Sequence, residues 1–247
     1  MDDFFSIDLS FISAGLSHQT ANLKTLIYYC YINNLKLIKP IFRLTGKHNN
    51  NHNLCTDLSE YYDLNNILVD NKPYILYDKE YFNGFTIKKK RYKWGLLRTD
   101  KMFINTIKYK IEIPYKYDII ETAKLVTSLI GNDFMCIHVR RGDRLTTLQI
   151  DMDTRPDNIL NKIEDQDIQN IYIMTNKIDE VIEIKENKKY NILFCCDFEV
   201  LRSIKDNYYL YCIENVIMDM AKIKCSTFKV KHSTYYNCNL TDSIGYQ

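Results

Sequence analysis

The chain has 247 residues, with 33 Lys and Arg against 31 Asp and Glu, 46% hydrophobic residues and only seven glycines. The near-neutral balance excludes a wholesale binder of nucleic acid, and the apolar content excludes a disordered chain. A chain of this length forms one large domain or two smaller ones, and buries roughly 70–75% of its unfolded surface without disulfide or metal staples.

The opening residues MDDFF are acidic where a secretory signal is basic, and no window holds the roughly 18–20 apolar residues of a membrane span. The expectation is a cytoplasmic chain without signal peptide or transmembrane segment. FFSIDLSFI (4–12) reads as a strand and SAGLSHQ (13–19) as a turn. In the next segment Leu23, Ile27 and Cys30 fall at i, i+4 and i+7, the spacing of an amphipathic helix. LKLIKPIF (35–42) follows as a strand ending near Pro40, which completes a βαβ unit and implies parallel pairing. GKHNNNHN (46–53) reads as an Asn-rich loop rather than a metal site. Within 54–115 only YILY and FINTIKYKIEI look strand-like, and the Lys88–Lys93 run reads as a solvated loop. A helix is expected over 118–130.

Beyond this point the alternation is regular. Strands are expected at 134–140, 171–176, 190–195 and 227–232, with helices near 157–164, 177–187, 197–206 and 214–224. The class is α/β with mostly parallel sheets in two Rossmann-like halves, 1–130 and 131–247. No G-x-G-x-x-G or Walker A loop is present, so a bound phosphate would rest on Arg and helix N-termini. The eight cysteines form no C-x-x-C pair and several lie in apolar runs, which points to buried free thiols.

The strongest chemical signal is Cys136-Ile137-His138-Val139-Arg140-Arg141-Gly142-Asp143. Alternation along a strand sends His138 and Arg140 to one face, and Val139 and Arg141 to the other. The carboxyl end of a parallel strand is where α/β sheets bind ligands, and a guanidinium fork suits a diphosphate. Arg141 reads as structural. A second signal is the stripe Val216, Ile217, Met220 and Ile223 with Asp219 on its border, followed by Ser233-Thr234 as a helix cap. A border carboxylate such as Asp219 can accept two hydrogen bonds from guanine, although a half-exposed helix Asp is the commoner meaning.

Together these stretches resemble the GDP-fucose-dependent fucosyltransferases that share an HxRR motif, including α-1,2-, α-1,6- and protein O-fucosyltransferases. HVRRGD matches the α-1,2 branch almost letter for letter. SAGLSHQ is similar to the family's GGLGNQ loop, DLSEYYD (57–63) to an Asp-containing O-fucosyltransferase segment, and DMAKIKC…HSTYY to the α-1,2 ending. The resemblance implies a GT-B-like architecture of two facing Rossmann-like domains, with an acceptor-side N-terminal domain. It implies inverting, metal-independent transfer of fucose from GDP-fucose to a glycan or protein hydroxyl, with no cofactor and no nucleic-acid partner.

Carried over residue by residue, Arg140 would bind the β-phosphate, His138 and Asp219 the guanine, and Ser233 and Thr234 the phosphates. Gly15 would belong to the substrate-binding loop. The family's loop Asn falls at His18, and its tryptophans after the Ser/Ser segment are replaced by Tyr236 and Asn237. The general base is open: His18, Asp143, or no dedicated base. Another nucleotide-sugar donor, and a degenerate GDP-sugar-binding module, are the alternatives.

Overall fold

The computed structural model of the chain describes residues 4–45, 57–79, 88–89, 109–141, 148–164 and 166–226. It divides into two compact units: 1–117 with 206–208, and 118–205 with 209–247. The contact boundary thus falls at 117/118, and the helix expected over 118–130 belongs with the second unit.

In the first unit, β1 (Phe4–Ser6) and β2 (Asp8–Ala14) precede α1 (Leu16–Ile32), then β3 (Lys36–Leu37) and β4 (Ile41–Leu44). β1 pairs with β3, and β2 with β4, both parallel, as a βαβ crossover requires. Each single strand of the sequence reading is split in two. Pro40 separates β3 from β4, because it lacks a backbone N–H and cannot continue the ladder. Leu23, Ile27 and Cys30 of α1 are all buried. β1 also pairs in parallel with β7 (Lys88–Lys89), the described part of the basic run.

A small antiparallel sheet joins β5 (Ile67–Val69), β6 (Lys72–Tyr74) and β8 (Ile111–Glu112). Its hairpin turns through Asp70 and Asn71, both at positive φ (48° and 62°), the conformation of a two-residue type I′ loop. Asp57 caps a 3₁₀ turn (Leu58–Glu60), its Oδ1 accepting from the Ser59 N–H at 2.9 Å.

The second unit opens with α2 (Tyr117–Ile130), which ends at Gly131 with φ +105°, a backbone state that favours glycine. β9 (Phe134–Val139), β10 (Asn170–Thr175), β11 (Asn191–Leu193) and β12 (Ile223–Ser226) form one all-parallel sheet in the order β11-β10-β9-β12. Between β9 and β10 lie α3 (Leu148–Asp153) and α4 (Pro156–Ile163). Before β12 come α5 (Glu199–Arg202) and α6 (Asn207–Met220). Met135, Ile137 and Val139 pack with Ile159 and Ile163 of α4 in the core on one face.

In the second unit three expected helices depart from the sequence expectation. The segment 177–187 forms two 3₁₀ turns, Ile178–Glu180 and Ile182–Glu186, rather than an α-helix. Its apolar residues Ile178, Val181 and Ile184 recur every three residues, which matches the 3₁₀ period. The expected helix at 197–206 shrinks to α5, where Phe198 and Leu201 share the same spacing. The helix expected at 214–224 runs from 207 to 220 and gives way to β12. The strand expected at 227–232 lies outside the described residues. Among the described residues Cys30, Cys136, Cys195, Cys196, Cys212 and Cys225 form no disulfide, and four of these six are buried. No described helix is long and apolar enough to cross a membrane.

Candidate functional site

The sheet of the second unit creates the site by its topology. The chain lays down β9, β10 and β11 in one direction, then returns to place β12 on the opposite side of β9. Ligands of open parallel sheets bind outside the carboxyl ends of the strands at such a reversal. Here that position is the end of β9, where His138, Val139, Arg140 and Arg141 follow one another. All six residues of β9 are buried, so the strand is a rigid base for them.

Alternation divides their roles. Val139 belongs to the core against α4, and Arg141 reaches the same side. His138 lies on the opposite face, in register with Met174 and Ser226. It is buried, and its imidazole is pushed down to about 3, first by loss of solvent and then by the Arg140 charge. His138 is therefore neutral, with one ring nitrogen able to donate and the other to accept. Arg140 is half-buried at the strand end.

Arg141 is only 8% exposed, and each of its three guanidinium nitrogens donates to the protein. Its Nε donates to Glu180 Oε2 (2.7 Å), and its Nη2 to Asp151 Oδ1 (2.9 Å). Its Nη1 donates to the Thr154 hydroxyl (2.8 Å) and carbonyl (3.0 Å). The two adjacent arginines thus differ in kind. One ends the strand half-open, while the other is locked into the fold.

Below His138 on the α6 face lies a polar cluster that sequence reasoning missed. Tyr172, in register with Cys136, donates to Glu214 Oε1 at 2.9 Å. Burial raises the Glu214 carboxyl to about 8, with the Tyr172 hydrogen bond opposing, and burial also raises the Tyr172 and Cys136 groups. The available signal was spacing: Leu210, Glu214 and Ile217 fall at i, i+4 and i+7 along α6, so Glu214 occupies a core position.

The other expected residues are distributed as follows. Gly15 is the N-cap of α1, with φ −67°, and its carbonyl accepts from the Gln19 N–H. His18 is an exposed residue in the first turn of α1, not in a loop, because the helix begins at Leu16. Asp219 stands in the last turn of α6, at the end that leads into the start of β12. Its carboxylate meets Lys224 at 3.3 Å, and Lys224 is in register with Cys136, two residues below His138. Asp143, Ser233 and Thr234 lie outside the described residues, as do His48 and His52. Among the described residues, no three His, Cys, Asp or Glu side chains converge as metal ligands.

No protein-family model and no curated protein matches the sequence. Solved structures do. The chain is similar to POFUT1, a GDP-fucose protein O-fucosyltransferase, crystallised with GDP in crystal form III: TM-score 0.57, 10% identity, 92% of each chain covered. A crystal of POFUT1 with GDP-fucose gives a TM-score of 0.55 at 9% identity, again over 92% of each chain. At this identity the likeness is one of fold: a mixed α/β chain with parallel sheets of GT-B-like type.

Proposed function

We propose that the chain is a glycosyltransferase that moves fucose from GDP-fucose to a hydroxyl of a glycan or protein, with inversion and without a metal. The observation that carries this reading is Arg140 at the carboxyl end of the central parallel strand, at the topological reversal, in a fold shared with a GDP-fucose-dependent enzyme. In this reading the acceptor oxygen forms a bond to C1 of fucose as the bond from C1 to the β-phosphate oxygen breaks. The electron pair leaves with GDP, and Arg140 meets the charge that develops there. Ser233 and Thr234 supplement it at the phosphates.

Neutral His138 suits the hydrogen-bonding edge of guanine, because it recognises without adding charge. Asp219 takes part only if the base reaches down the α6 face as far as Lys224. The acceptor proton passes to Asp143 or to solvent.

Titration calorimetry with GDP and GDP-fucose tests the reading, together with a donor screen read by mass spectrometry. The wild-type chain should bind both ligands, and Arg140→Ala should lower transfer by about 10²–10³, the cost of losing one preorganised donor at a developing anion. Failure of both ligands to bind overturns the proposal. Transfer of a different sugar corrects the donor, and binding without transfer marks a binding module.

A further inference from the structure

The ion network around Arg141 extends well beyond the strand end. Its guanidinium ties three segments together: its own β9 end, the α3–α4 corner through Asp151 and Thr154, and the 3₁₀ turn after β10 through Glu180. Both carboxylates are shared. Asp151 also accepts from Arg155 at 2.9 Å, and Glu180 faces Lys177 at 3.5 Å. Arg155 is the N-cap residue of α4, with Pro156 behind it. Arg155 first, and Arg141 with it, holds the Asp151 carboxyl below its usual range. Thr154 is fully buried. Desolvating such charges offsets much of their mutual attraction, so the network adds little to stability over a well-packed apolar replacement. What it does supply is a fixed geometry.

On the reading that Arg140 holds the diphosphate, we infer that Arg141 is the positioning residue of that site. Arg141 shares a peptide bond with Arg140. By clamping the ends of β9 and β10 to the α3–α4 corner, it fixes the backbone from which Arg140 projects. A planar fork is needed for this, because its nitrogens address three directions at once. A lysine at position 141 keeps the charge but, as a single ammonium on a flexible stem, cannot hold the three segments together. With Nε, Nη1 and Nη2 all engaged by protein groups, Arg141 acts through Arg140 and not on the ligand.

The test compares wild type, Arg141→Lys, Glu180→Gln and the double variant, at a temperature where circular dichroism shows each fully folded. GDP affinity is measured by calorimetry, and kcat and KM for GDP-fucose are determined separately. Arg141→Lys should weaken GDP binding at least tenfold in the folded protein, and Glu180→Gln several-fold. The double variant should be no worse than Arg141→Lys, because both changes open the same clamp. A purely structural Arg141 would lower the melting temperature and leave GDP affinity of the folded variants unchanged, which overturns the inference. If Arg141→Lys does not fold, Glu180→Gln decides alone, and unchanged affinity there is equally fatal. A wild-type chain that binds no GDP removes the functional reading and this inference together. Wild-type binding with unaffected variants removes only the inference.

Discussion

His138 and Glu214 are both held neutral by burial, and because one is a base and the other an acid their effects on stability oppose each other. His138 has an ordinary value of 6.5 and a folded value of about 3, so the unfolded chain binds its proton first. Its contribution is fully present above pH 6.5 and is lost as pH falls toward 3. Glu214 moves from 4.5 to about 8, so the folded chain holds its proton longer. Its contribution is fully present below pH 4.5 and is lost as pH rises toward 8. Between about 4.5 and 6.5 the two slopes cancel. Chemical denaturation across pH 3–9 should therefore show a plateau in that window. On either side stability should decline by as much as ~1.4 kcal/mol per pH unit. Glu214→Gln, which can still accept from Tyr172, should abolish the alkaline decline and keep the acidic one. An unchanged alkaline limb in that variant would show that Glu214 does not control it. The strand position of His138 was legible from alternation alone. The protonation state of Glu214 was not, because it depends on packing of α6 against β10, which no local pattern records.

Among the elements, the segment between β10 and β11 shows how a short apolar spacing selects structure. Ile178, Val181 and Ile184 line one side of a three-residue period and enter the core of the second unit. Ile184 is essentially without solvent exposure although it belongs to a turn. Ile184→Ala should cost about 2–5 kcal/mol in denaturant unfolding, the range for large-to-small changes in a packed core rather than for a surface turn. A change below 1 kcal/mol would mean that this turn is peripheral. Long, strongly patterned elements such as α1, α2 and β9 were readable to within a few residues, because each carries several turns or alternations of its period. β5 and β6 were not. Strands of two or three residues show no alternation, and their pairing is set by the Asp70–Asn71 turn and by contacts distant in sequence.

For the whole molecule, each unit has its own sheets, and the residues proposed to hold nucleotide gather in the second. Ligand binding slows exchange through every opening that destroys the site, and at a hundredfold excess over Kd the gain is about 2.7 kcal/mol. Hydrogen exchange with and without GDP should accordingly show slowed exchange in 134–141 and 170–180, with 16–44 unaltered. Equal protection of both stretches would place nucleotide contacts in the first unit as well. The order β11-β10-β9-β12 has one more outcome, for a chain still on the ribosome. β9 is the hub of its sheet, yet the strand that covers one of its edges is made more than eighty residues later, at Ile223–Ser226. Until then a mostly apolar strand presents an open row of amides and carbonyls, the kind of surface that pairs with other chains. The interval before β12 emerges is therefore a hazardous one, when the strand that carries the candidate site is also an uncovered edge.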